Sequence, residues 1–139
     1  MAYDINAIYD RSSGYCHICG RKVCFINYGL LGAKGAWEIE HSRPRARGGT
    51  NHGNNLYAAC MSCNREKSHR WSTRTVRGRN GLNRAPLSGA KRRQAKKQQA
   101  AAGAVLFGFA GSAFGPMGAI IGTILGVSIG AKQNPDRQW

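Results

Sequence analysis

Two Cys-x-x-Cys pairs, Cys16/Cys19 and Cys60/Cys63, stand at the two ends of a segment too short to build a deep apolar core. Paired thiols at this spacing are metal-ligand pairs, and four of them suit a tetrahedral structural zinc, so the chain between them is expected to close as one staple. Two disulfides would need an oxidising compartment. The N-terminus Met1-Ala2-Tyr3-Asp4 shows no basic stretch followed by an apolar run, so no secretory signal is read there. The fifth cysteine, Cys24, reads as a half-buried thiol on a strand.

The 139 residues carry a formal charge of +15, with twenty-one basic residues against six acids. Such a bias points to polyanions, either nucleic acid or an anionic membrane surface. Three compositional zones follow one another. Residues 1–72 hold every Cys and His and every acid but Asp136, the varied alphabet of a folded domain. Residues 73–99 contain no acid and carry Arg74, Arg77, Arg79, Arg84, Lys91, Arg92, Arg93, Lys96 and Lys97, so they read as a basic linker without a core. Residues 100–131 have no charged side chain and are rich in Gly, Ile, Leu, Val and Phe, and residues 132–139 form a polar tail.

Within the first zone, Ile5, Ile8 and Tyr9 have helical spacing and Asp4 is a candidate N-cap. Residues 22–26 read as a strand. Trp37 and Ile39 alternate with Glu38 and Glu40, the period of a half-buried strand, which would put both Glu on its wetter face with His41 at its end. Residues 42–54, rich in Arg, Gly, Pro and Asn, are a loop; residues 56–59 return as a strand and 62–70 as a helix.

The series Glu40-His41-Ser42-Arg43-Pro44, Arg47-Gly48-Gly49-Thr50, Asn54-Asn55-Leu56 and Ala59-Cys60-Met61-Ser62-Cys63-Asn64-Arg65-Glu66-Lys67 resembles the HNH endonucleases of the ββα-metal group, over about residues 14–70. The resemblance implies a small α+β fold, a treble-clef-like ββα-metal domain stapled by zinc, here followed by the basic linker and a Gly-rich helical hairpin. It also implies a metal-dependent DNA endonuclease. Asn64 stands where many members have a histidine, an HNN variant, and Glu40 replaces a frequent Asp.

Cutting a phosphodiester needs an activated water in line with the leaving oxygen and positive charge beside that oxygen. By the resemblance His41 is the general base, an imidazole that can take a proton at neutral pH. Glu40 and Asn64 are hard oxygen donors suited to Mg²⁺ or Mn²⁺. Asn55 is expected to hold the loop and to orient the His41 ring by a hydrogen bond. Arg43, Arg45, Arg47 and Lys67 are expected to bind DNA phosphates. His17 and His69 read as surface or supporting residues, His52 as a solvated loop histidine, Trp37 as core and Trp71 as a cap on the helix end.

In the third zone Gly118, Gly122, Gly126 and Gly130 recur every four residues, as do Gly111 and Gly115 before Pro116. On a helix this spacing makes a smooth groove for a second helix. The zone is similar to the glycine-zipper segments of bacterial membrane-associated proteins and is expected to bend near Gly115-Pro116 into a hairpin; a single tilted span and a soluble oligomer are the alternatives. The expected partners are DNA, a membrane or further copies through residues 100–131, and an immunity protein if the chain is a toxin. The expected location is cytoplasmic, at the inner membrane face. Two readings compete with the nuclease: a non-catalytic zinc-stapled nucleic-acid binder, and an assembly protein whose tail is its function.

Overall fold

The computed structural model describes residues 3–137, which form two compact units, one ending at Gly89 and the other beginning at Ala90. The first unit starts with helix α1 (Ile5–Arg11), where Asp4 accepts a hydrogen bond from the Ala7 N–H at 3.0 Å, the expected N-cap. Its Ile8 is buried. Gly14, with φ +71°, then turns the chain into the first cysteine pair. That pair sits in a tight knuckle: the Cys16 N–H donates to Arg21 O at 2.8 Å, the Gly20 N–H donates to Cys16 O at 2.9 Å, and Tyr15 bridges Lys22.

Residues 22–26, expected as a strand, supply only that single bridge and then a 3₁₀ turn, Phe25–Asn27. Loop contacts use the backbone groups that a ladder would need. The Cys24 N–H donates to Gly35 O at 2.9 Å, and the Trp37 indole N–H donates to Phe25 O at 3.3 Å. Cys24 is half-buried but lies outside any strand.

Strands β1 (Trp37–His41) and β2 (Leu56–Cys60) pair antiparallel, with Trp37 opposite Cys60 and His41 opposite Leu56. β2 runs straight into helix α2 (Met61–Lys67). This helix stops short of residue 70 because Ser68 takes φ +46°, outside the helical region. Helix α3 (Thr73–Arg79) follows, capped by Ser72, whose hydroxyl accepts from the Thr75 N–H at 3.0 Å. The core gathers Ile8, Ile18, Val23, Trp37, Leu56, Ala58 and Val76 with three of the paired cysteines.

Two sequence expectations change here. The stretch 73–99 is not one linker: α3 places Val76 fully inside the core, and Arg77 donates to His17 O at 3.1 Å, so the first unit extends to Gly89. Its averaged composition hid two buried apolar side chains, Val76 and Leu82. The Glu-bearing face of β1 is also not uniformly wet. Glu38 is half-buried and pairs with Arg65 at 3.4 Å, whereas Glu40 is 0% exposed, under Lys67 of α2 and Thr73 of α3.

The second unit is a helical hairpin of α4 (Gly89–Ser112) and α5 (Gly115–Lys132). Gly115, with φ +84°, makes the bend, and Pro116 opens α5 where a missing N–H costs nothing. α4 begins well before the apolar zone, because the Lys, Arg, Gln and Ala of residues 90–99 are strong helix formers. A change of composition at residue 100 is therefore no structural boundary. The buried side chains of Arg92 and Asp136 form an ion pair at the open end of the hairpin.

Candidate active site and metal centre

The knuckle presents Cys16 and Cys19, and the end of β2 with the first turn of α2 presents Cys60 and Cys63, so one cluster joins the two halves of the fold. All four sulfurs lie within 4.8 Å of one another, and Cys19 Sγ is 3.7 Å from Cys60 Sγ. A tetrahedron with metal–sulfur bonds of about 2.3 Å has sulfurs about 3.8 Å apart, so the cluster fits a tetrathiolate ion of the zinc type. Four thiols this close share their protons unequally. Cys16 is pushed up, first by its hydrogen bond with Cys19. Cys60 is pushed down, first by Cys16 and then by Cys19 and Cys63.

Arg21 completes this centre and was not singled out in the sequence. Its Nε donates to Cys19 Sγ at 3.2 Å, and one terminal nitrogen donates to Cys60 Sγ at 3.8 Å and to Ser62 Oγ at 3.4 Å. A guanidinium there offsets part of the charge that four thiolates bring to one ion. The signal for it was a basic residue two places after the second cysteine.

At the far end of β1, His41 is half-buried. Its Nε2 is 3.0 Å from Asn51 Oδ1, and the Tyr3 ring meets it edge-on with centroids 6.3 Å apart. The Tyr3 hydroxyl donates to the same Asn51 oxygen at 3.3 Å. An amide oxygen only accepts, so this contact puts the ring proton on Nε2 and leaves Nδ1 as an acceptor. Among the described residues, Nδ1 has no hydrogen-bond partner.

Asn55 ties the loop together: Oδ1 accepts from the Arg43 N–H at 2.7 Å, and Nδ2 donates to Arg43 O at 3.0 Å and to Thr50 O at 2.8 Å. It does not touch the imidazole. The expected bond to His41 is made by Asn51 instead, and the sequence signal, an Asn-rich turn, could not tell which Asn would face the ring. Gly48 adopts φ +77°, and a Cβ on Gly49 would overlap Arg43 O, which is why the loop carries two glycines.

Glu40 Oε1 is 2.7 Å from Lys67 Nζ and accepts from the Thr73 hydroxyl at 3.3 Å. Its other oxygen, Oε2, is buried without a hydrogen-bond partner among the described residues. The side chain of Asn64, half-buried on α2, and that orphaned oxygen are both hard oxygen donors, the class that Mg²⁺ or Mn²⁺ prefers. Thr73 carried no sequence signal. Lys67, expected on a phosphate, is only 2% exposed and also donates to His41 O at 2.7 Å; it braces the strand end from inside. Among the described residues the His41 ring bonds neither Glu40 nor Asn64; Glu40, its neighbour in the strand, points to the opposite face.

The three loop arginines are exposed. Arg43 donates to Arg47 O at 2.6 Å and Arg47 to Arg70 O at 3.0 Å, so two of them also stiffen the loop. Beside them lies an open cleft of about 280 Å³ lined by Arg43, Gly48, Gly49, Thr50, His52, Asn54 and Asn55.

Of the remaining histidines, only His52 lines that cleft among the described residues. His52 caps the turn before β2, its Nδ1 accepting from the Asn54 N–H at 3.4 Å, and His69 is exposed. His17 stacks on Tyr57 with centroids 3.9 Å apart, and burial, then the charges of Arg77 and Lys67, push its pKa down to about 4. Trp71 follows α2 and carries the Arg79 guanidinium 4.2 Å above its ring.

Residues 16–70 match the family model for HNH endonuclease, a span that takes in the four cysteines, Glu40, His41, the loop and Asn64. No curated protein and no solved structure matches the chain.

Proposed function

We propose that the HNH endonuclease domain of residues 16–70 hydrolyses DNA phosphodiester bonds with His41 as general base. One observation carries this reading. A half-buried imidazole whose Nε2 is held by Asn51, and whose Nδ1 has no bond among the described residues, ends the strand on which a buried carboxylate oxygen lacks a partner. His41 Nδ1 takes the proton from a water as that water attacks phosphorus, and the P–O bond opposite breaks. Asn51 and Tyr3 keep the ring in that tautomer, and Asn55 keeps the backbone beside it still. Arg43, Arg45 and Arg47 face solvent where they can hold phosphate oxygens.

Glu40 Oε2 and Asn64 would hold Mg²⁺ or Mn²⁺, which when bound neutralises the leaving oxygen. The four cysteines hold structural zinc away from this chemistry.

The hairpin tethers the nuclease to the cytoplasmic face of a membrane, supported by the exposure of its large apolar side chains. Such tethering suits defence against incoming DNA, or a toxin with an immunity protein.

The Lys67 amine on Glu40 favours a second reading, a non-catalytic zinc-stapled nucleic-acid binder, because it already balances the carboxylate. Plasmid cleavage with Mg²⁺ or Mn²⁺ separates the two. His41→Ala should lower the rate by about a hundredfold or more, and Asn51→Ala by about tenfold to a hundredfold with an unchanged melting temperature. Cutting that survives His41→Ala would refute the base assignment, and DNA binding without any cutting would favour the second reading.

A further inference from the structure

Resting on the tether reading, we propose that the α4–α5 hairpin enters an anionic bilayer from one side as a closed hairpin, tip first, and does not cross it. Four features of the hairpin carry this.

The first is the glycine seam. A Cβ on Gly126 would overlap Gly103 O, one on Gly118 would overlap Gly111 O, one on Gly122 would overlap Phe107 O, and one on Gly130 would overlap Gln99 O. Residues 99, 103, 107 and 111 thus stand level with 130, 126, 122 and 118, a single antiparallel register running the length of both helices. Backbones this close pack by dispersion without needing water. The seam keeps α5 beside α4, so α5 does not act as an independent span, although among the described residues it is the one helix long and apolar enough for one.

The second is charge. The same register places Lys132 level with Lys97, and Lys91, Arg93 and Lys96 lie further toward the open end. Residues 98–131 carry no charge. Every cation of the hairpin therefore sits at or beyond one level, as a collar for acidic headgroups.

The third is the outer surface. Phe109 is 83% exposed and Phe114 86%, and Val105, Leu106, Met117, Ile120, Ile124 and Leu125 are each more than half exposed, on both helices. The fourth is the polar inventory. The only hydroxyls in the charge-free zone bond back to their own helices: Ser112 to Phe109 O, Thr123 to Ala119 O and Ser128 to Ile124 O, at 2.6, 2.8 and 3.0 Å. From residue 100 to residue 131 every side-chain donor is thus satisfied within its own helix.

Length then decides between crossing and dipping. The charge-free part of α4, residues 98–112, is about 22 Å long at about 1.5 Å per residue, against a hydrocarbon core of about 30 Å. With the cations held at the entry surface, the tip stops short of the far headgroups.

The test adds full-length protein to sealed vesicles of phosphatidylcholine, with or without phosphatidylglycerol, and follows flotation and then trypsin removal of a C-terminal epitope tag. The expected result is partition about tenfold or more stronger with the anionic lipid, and a tag digested without detergent. In parallel, Phe114→Trp should show emission above the wild-type background that brominated lipid quenches, and Gly103→Leu/Gly126→Leu should weaken flotation while zinc content stays unchanged. A tag protected until detergent is added would overturn one-sided entry and leave the tether standing. Equal flotation on neutral vesicles would overturn the collar. No flotation on either vesicle, with the protein sedimenting as a soluble oligomer, would overturn both this inference and the tether.

Discussion

At the scale of single residues, Glu40 is governed by its partners more than by its position in the strand. A fully buried carboxylate is costly unless paired, and here Lys67 Nζ at 2.7 Å and the Thr73 hydroxyl supply the compensation from two different helices. Lys67→Met would leave the carboxylate buried without a counter-charge, a change that costs about 3–5 kcal/mol when one partner of a buried pair is removed. We expect the melting temperature of the zinc-loaded protein to fall by roughly 15 °C or more. A loss of only a degree or two in calorimetry would show that the pair contributes little. The sequence marked Lys67 as a phosphate ligand because a cation one turn beyond Asn64 looks surface-facing on a lone helix. Only the sheet beneath α2 turned it inward. Asn51 teaches the converse: three asparagines in five residues were visible, but which one meets an imidazole depends on how the loop closes.

At the scale of elements, α3 is where composition misled. Its seven residues include three arginines, yet Val76 is fully buried, so the helix is part of the core and not a tether. A fragment ending at residue 72 should fail to give a cooperative melt, while one ending at residue 89 should fold with bound zinc. Val76→Ala should cost about 2 kcal/mol in urea denaturation of the full chain. Cooperative folding of the shorter fragment would move the boundary back to 72. The elements that were legible had local causes: the cap at Asp4, the alternating strand at Trp37, and the Gly115-Pro116 bend all act within a few residues. The expected strand at residues 22–26 was not, because its backbone groups are claimed by Gly35 and Trp37, about a dozen residues away in sequence.

At the scale of the whole molecule, two units rest on different physics. The first has a small core closed by four cysteines arranged to hold a metal, and an ion bound there would contribute much of its folding free energy. The second is held by backbone packing along glycines. Removing zinc with a strong chelator should therefore abolish the Trp37 environment, seen by near-ultraviolet circular dichroism, while a large share of the helical signal from α4 and α5 remains. Loss of all helix in one step would contradict the division into two independent units.

The sequence by itself determined the four-cysteine cluster, the Glu40-His41 strand end, the loop that follows it and the glycine hairpin, because each is written in spacing over a short range. Tertiary structure alone decided which charges are buried, which asparagine holds the ring and where the first unit ends. These depend on which faces of α2 and α3 cover the sheet, and burial is a property of neighbours brought together from distant parts of the chain.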